Sequence, residues 1–187
     1  MIKNRDELKE YIKSDNNWYH PQNMKFKIID CITSNSGYVL KKYLIFLRKA
    51  EYHLNNSGAS RRHTYLYWYY EGKKNRLGRT LGIEIYPNCF GKGLQIWHTG
   101  GIVVHPDVRV GENCILHGGN CIGNKGQVDV VPQIGNNVDI GYGACIIGNI
   151  QIADNTVIGA NAVVIKSVNE SNETVVGIPA KILKGVK

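Results

Sequence analysis

Aliphatic residues recur at every sixth position through the second half of this chain. Ile134, Ile140, Ile146, Ile152, Ile158 and Val164 form one run, and Val104, Val110, Leu116 and Ile122 form an earlier run with the same step. Four residues after the aliphatic position comes a second, mostly small or apolar residue: Val108, Cys114, Asn120, Val138, Ala144, Ile150, Thr156, Ala162 and Val168. Gly, Asn, Asp and Lys dominate between them. A helix needs a period near 3.6 and a flat strand a period of 2, so a strict six fits neither. It fits a ribbon that makes a short strand, turns a corner and repeats. Three such strands close a triangular coil of about eighteen residues, with both members of each pair pointing inward. The prediction is a mainly β domain, a parallel β-helix, over residues 82–187 with a C-terminal tail.

Two places interrupt the step. Phe90 and Ile96 carry it to Ile102, but Val104 restarts it two residues late, so Gln95 to Pro106 straddles a register break. His98 lies at that break, where a side chain can leave the repeat; His105, followed by Pro106, reads as a corner residue. Between Ile122 and Ile134 the segment Gly-Asn-Lys-Gly-Gln-Val-Asp-Val-Val-Pro lacks the corner pattern and predicts a loop that leaves the coil.

Residues 1–81 read as a helical N-terminal region. A short helix is expected at Asp6–Ile12, a longer one at Tyr38–Leu54, and a third from Ala59 to Gly72, where the run Tyr65-Leu-Tyr-Trp-Tyr-Tyr70 is equally readable as a strand. Charge separates the halves: residues 1–83 hold sixteen Lys or Arg against seven Asp or Glu, and residues 84–187 hold seven against eight. The basic part suits an anionic partner, with a membrane surface allowed and no nucleic-acid recognition module accompanying the charge. The five cysteines include no Cys-x-x-Cys pair, and no stretch is apolar enough to span a bilayer. A reduced, cytoplasmic protein is expected.

The hexad repeats, His98 followed by Thr-Gly-Gly-Ile-Val-Val, and the ending Gly177-Ile-Pro-Ala-Lys181-Ile resemble the hexapeptide-repeat acyltransferases. Within that group the likeness is to the serine O-acetyltransferase family and related sugar O-acetyltransferases of polysaccharide biosynthesis. The resemblance implies a left-handed β-helix and a homotrimer, open to pairing as a dimer of trimers, whose active sites lie between subunits. It implies acetyl-coenzyme A (acetyl-CoA) as cosubstrate and no metal. It places the catalytic base at His98 and its orienting acid at Glu84, in Glu84-Ile-Tyr-Pro87. An imidazole can take the proton of an attacking hydroxyl, and a carboxylate on its other nitrogen fixes the tautomer. N–H groups near Gly100 and Gly101 are candidates for the oxyanion. For the cosubstrate the resemblance points to the loop at Gly123, Asn124 and Lys125, to Tyr142 and Ala160, and to Lys166 and Lys181 as phosphate partners.

Two departures bear on the acceptor. Trp97 replaces an aspartate that precedes the base in the serine enzymes, and Val131 replaces a substrate-binding histidine. A tryptophan offers a flat surface for a sugar ring, so a sugar or nucleotide-sugar acceptor in surface polysaccharide synthesis is preferred here, with L-serine as the alternative. One coil beyond His98, His117 is expected on the same face, bordering the acceptor. Other readings are a zinc enzyme like the γ-class carbonic anhydrases, using His98, His105 and His117, and a trimeric scaffold without activity. The first is disfavoured because no His-x-x-x-x-His occurs.

Overall fold

The computed structural model describes residues 1–19, 24–126 and 130–183, with the side chains of 24–27 outside the description. The chain divides into two compact units, Met1–Leu81 and Gly82–Lys187.

Among its described residues the first unit holds four helices: α1 (Arg5–Asp15), α2 (Met24–Ile32), α3 (Ser36–Asn55) and α4 (Arg61–Leu81). Helix α1 starts on Asn4, whose side chain accepts from the Asp6 and Glu7 N–H groups that the first turn leaves unpaired. Helix α3 is central and packs against α1 and α4. Its buried stripe, Leu40, Tyr43, Leu44, Leu47 and Ala50, keeps helical spacing and is fully sealed from solvent. Arg48 lies among these apolar residues and is held by two carboxylates. Its Nε donates to Asp15 at 2.6 Å and its Nη1 to Glu51 at 2.9 Å. The tyrosine-rich run lies inside α4, so helix, not strand, is its conformation, and the helix continues nine residues past Gly72. Helix α2 falls in a stretch where the sequence suggested nothing; Ile28, Ile29 and Ile32 are exposed, so its described side chains offer no buried stripe to read.

The described residues of the second unit form fourteen strands of two or three residues: β1 (Ile83–Glu84), β2 (Gln95–Ile96), β3 (Ile102–Val104), β4 (Arg109–Val110), β5 (Ile115–Leu116), β6 (Cys121–Gly123), β7 (Gln133–Ile134), β8 (Asp139–Ile140), β9 (Cys145–Ile147), β10 (Gln151–Ile152), β11 (Val157–Ile158), β12 (Val163–Val164), β13 (Thr174–Val176) and β14 (Lys181–Ile182). They stack as three flat sheets, β1-β3-β6-β9-β12, β4-β7-β10 and β2-β5-β8-β11-β13-β14, parallel except for the β13–β14 pair. This is a parallel β-helix. Every predicted partner position is buried, from Val108 at 0 % exposure to Ile150 at 6 %. Each inward aliphatic removed from water contributes about 1.5–3 kcal/mol. The two buried polar partners are satisfied: Asn120 Nδ2 donates to Gly141 O and Thr156 Oγ1 to Ala153 O. After Val168 the chain does more than fold back, since β13 adds another parallel strand before β14 reverses.

The two interruptions appear as longer coils. Ile134 pairs with Ile152 at the regular spacing of 18 residues. Ile96 pairs with Leu116, 20 residues on, so the slip is absorbed in the bend at His98. Leu116 pairs with Ile140, 24 residues on, so the predicted loop adds six residues to its coil. Residues 127–129 of that loop lie outside the described residues.

Candidate functional site

Each coil turns at three corners, and residues at one corner stack into a column. The corner leaving β2, β5, β8 and β11 carries His98, Gly118, Tyr142 and Ala160. A Cβ built on Gly118 would lie 3.3 Å from the His98 Cβ and 3.1 Å from the Tyr142 ring. Gly118 also has φ +115°, where side chains are strained. Its bare backbone therefore keeps open the space between the His98 stem and the Tyr142 ring. His98 is exposed, and its ring has no hydrogen-bond partner among the described residues. Directly after it, Gly100 and Gly101 have φ +99° and +65°. Gly100 O accepts from Gly119 N–H at 2.8 Å, but among the described residues the Gly100 and Gly101 N–H groups meet no acceptor. An unengaged imidazole thus stands beside two unengaged amide donors, the groups that acyl transfer to a hydroxyl requires.

Trp97 and His117 flank this corner. Trp97 is 46 % exposed and its Nε1 donates to Gln95 at 3.4 Å. Its ring packs on the His117 ring at 4.3 Å between centroids. His117 Nε2 lies 2.7 Å from Asp139 Oδ1. The distance suits a hydrogen bond, yet the nitrogen is buried with no aligned acceptor. The Asp139 carboxylate thus meets the Nε2 edge of the ring off the N–H axis, since the separation is short and the direction poor. Asp139 is a residue that the sequence did not single out. Counting eighteen residues from Leu116 leads to Ile134; only the six-residue insertion brings Ile140, and Asp139 before it, into that place.

Glu84 lies on the outward face of the five-stranded sheet, in register with Val103. Its carboxylate accepts from the Tyr86 hydroxyl at 2.9 Å. No hydrogen bond joins it to His98, so the orienting contact expected from sequence is not formed in this structure. Tyr86, inside the same Glu-Ile-Tyr-Pro motif, was not picked out by the sequence; it engages the carboxylate instead.

The residues expected to bind cosubstrate fall in two groups. Tyr142 and Ala160 stand in the His98 column. Gly123 ends β6, and Asn124, Lys125 and Lys166 follow strands of the same five-stranded sheet, at the next corner. There Asn124 Nδ2 contacts His105 Nε2 at 3.3 Å, and Asn124 Oδ1 accepts from Gly126 N–H at 3.1 Å. The Lys125 stem lies over Gly148. Lys166 and Lys181 come together in an open cleft of about 420 Å³, with Ser167 beside them and Val164, Val168, Val175 and Ile182 among its apolar walls.

His105 caps its own corner, its Nδ1 accepting from the Asp107 N–H at 3.3 Å. It therefore lies one corner away from His98 and His117. Among the described residues no group of three or more His, Cys, Asp or Glu side chains is placed to hold a metal ion.

No described family profile matches the chain. Serine acetyltransferase 1 of Arabidopsis thaliana chloroplasts is 36 % identical over 80 residues, a match covering 41 % of this chain and 26 % of the relative. The chain thus spans about a quarter of that protein's length. Among solved structures, soybean serine acetyltransferase complexed with serine superposes with TM-score 0.72 at 25 % identity, over 96 % of this chain and 70 % of that one. Serine acetyltransferase from Brucella abortus in complex with coenzyme A gives TM-score 0.64 at 30 % identity, over 95 % and 66 %. The three-sheet coil is therefore the left-handed parallel β-helix, with its N-terminal helical region, of these neighbours.

Proposed function

We propose that this chain, a relative of the serine acetyltransferases with the hexapeptide-repeat transferase fold, is an acetyl-CoA-dependent O-acetyltransferase. The observation that carries the proposal is the His98 corner: an unpaired imidazole beside the unengaged Gly100 and Gly101 N–H groups, under a gap kept by Gly118. His98 takes the proton of the acceptor hydroxyl as that oxygen attacks the thioester carbonyl of acetyl-CoA. The two N–H groups stabilise the oxyanion that develops there. The imidazolium then returns its proton to the departing thiolate, leaving an O-acetyl ester and free coenzyme A. Glu84 orients the ring once it exchanges its Tyr86 partner for His98. Tyr142 and Ala160 border the acyl end of the cosubstrate, and Lys166 and Lys181 meet its phosphates across their cleft.

For the acceptor, L-serine is the first reading, because the relatives and neighbours are serine acetyltransferases. That reverses the preference suggested by residues 97 and 131. Val131 is 7 % exposed and packs inward, so its lost imidazole says little about substrate. Trp97 supports a second reading. Its half-exposed ring beside His98 gives a sugar acceptor a surface on which to stack.

The test is thiol release from acetyl-CoA with L-serine and with a panel of sugars. His98→Ala should lower turnover at least about 100-fold. A variant that keeps its rate removes the general base from the proposal, and a wild type that releases no thiol with any acceptor removes the activity.

A further inference from the structure

Four side chains form a continuous ladder along the outer face of the six-stranded sheet and into its corner. Gln95 Oε1 accepts from the Trp97 indole, Trp97 packs on His117 at 4.3 Å, and His117 Nε2 lies 2.7 Å from Asp139. The ladder stands against the reacting column. Trp97 precedes His98, and Gly118, the residue stacked over His98, follows His117. Among the described residues Asp139 has no other ion partner than His117.

We infer that Asp139 is a positioning residue for the acceptor: it holds His117 against Trp97 so that the ring's outer nitrogen meets a hydrogen-bond donor on the acceptor. His117 buries its Nε2 edge, yet the side chain keeps about a quarter (26 %) of its surface open. Nδ1 is the polar atom left to face a ligand. A carboxylate at Nε2 favours the tautomer that carries its proton there, which leaves Nδ1 a lone pair. That atom accepts from a hydroxyl or an ammonium group and does nothing for a carboxylate. The chemistry read is therefore a second donor on the acceptor, next to the hydroxyl that His98 activates: the ammonium group of an amino acid, or a vicinal hydroxyl of a sugar. A solvated ion pair on a sheet face would give Asp139 no such consequence.

This rests on the O-acetyltransferase reading, and the experiment separates the two. Asp139→Asn keeps shape and removes the charge. It should raise the KM for the acceptor about tenfold while leaving kcat and the KM for acetyl-CoA within about twofold. His117→Ala should give the same change, and the double variant no more than either alone. An acceptor analogue lacking the neighbouring donor should be insensitive to Asp139→Asn; comparing 3-hydroxypropionate with serine, and a deoxysugar with its parent, tells ammonium from hydroxyl. Nitrogen NMR of the His117 ring gives a readout without turnover: mainly the Nε2–H tautomer in the wild type, a mixture in Asp139→Asn. An unchanged tautomer, an unchanged acceptor KM, or equal effects on both substrates overturns the inference. A wild type that transfers acetyl to nothing sinks the activity and the acceptor role together, whatever the tautomer.

Discussion

Asn113, Asn137, Asn155 and Asn172 sit at equivalent corners, each with φ between +55° and +66°. Their amides form a ladder, Asn113 Nδ2 donating to Asn137, Asn137 to Asn155 and Asn155 to Asn172, at 3.0, 3.0 and 3.1 Å. The residue type serves two ends, since Asn tolerates the left-handed region and its side chain mimics a backbone link between coils. Asn137→Ala loses both amide bonds and places an ordinary side chain at positive φ, and it should destabilise by about 2 kcal/mol. Asn137→Gly relieves the backbone and should cost about half of that. Denaturant midpoints followed by β-sheet circular dichroism check the order; equal losses would leave the backbone out of the account. That asparagine belongs at the corners follows from the hexad, and His98 was legible through the slip in that hexad together with the family resemblance. Asp139 was not legible, because its contact crosses the loop after Ile122: the broken corner pattern shows that loop, but an excess of six residues keeps the hexad in phase and hides which strand stacks on which. The Tyr86–Glu84 contact escaped for another reason: side-chain partners two residues apart on a strand follow from rotamers, which the repeat does not set.

At the scale of elements, the hexad foretold coils and register well because burial is periodic there. The helices were less legible. In α3 the buried stripe gave the helix away, while α4 hides its nature behind Tyr65, Trp68 and Tyr69, which are exposed and carry no core pattern. Its inner side meets α3 in an aromatic cluster. His53 stacks on Tyr70 with centroids 5.5 Å apart, and its Nδ1 lies 3.0 Å from the His63 Nδ1. Only one of those two nitrogens can carry the proton between them. Burial first, then the charges of His63, Arg62 and Lys49, pull the His53 pKa down from 6.5 to about 4. The folded state therefore binds fewer protons than the unfolded state between those values. The stabilisation is complete above pH 6.5 and is lost as pH falls toward 4. The melting temperature of the helical unit should drop across that window, and His53→Phe should flatten the drop relative to wild type. Parallel curves for the two proteins would show that another group carries the acid sensitivity.

For the whole molecule, the corner geometry bears on assembly. His98, Tyr142 and Ala160 stand at one corner, whereas Gly123, Asn124, Lys125 and Lys166 stand at the next, the far end of three-residue strands about 10 Å long. Within one chain they stand at two separate corners. Outward residues near these corners are apolar and open, with Val103 46 %, Tyr142 52 % and Ile165 38 % exposed. Both facts favour a homotrimer in which the His98 corner of one subunit faces the lysine corner of its neighbour; a ring of three repeats one heterologous contact until it closes. Sedimentation should then give three times the 20.9 kDa chain mass. A sharper check is complementation. His98→Ala and the double variant Lys166→Glu/Lys181→Glu should each be nearly inactive alone. In trimers assembled from an equal mixture, about a quarter of the interfaces pair an intact His98 with intact lysines on the adjoining subunit. Activity should return to about that fraction of wild type. A mixture as inactive as its components would mean that each chain builds its site unaided, and the split between corners would then need another explanation.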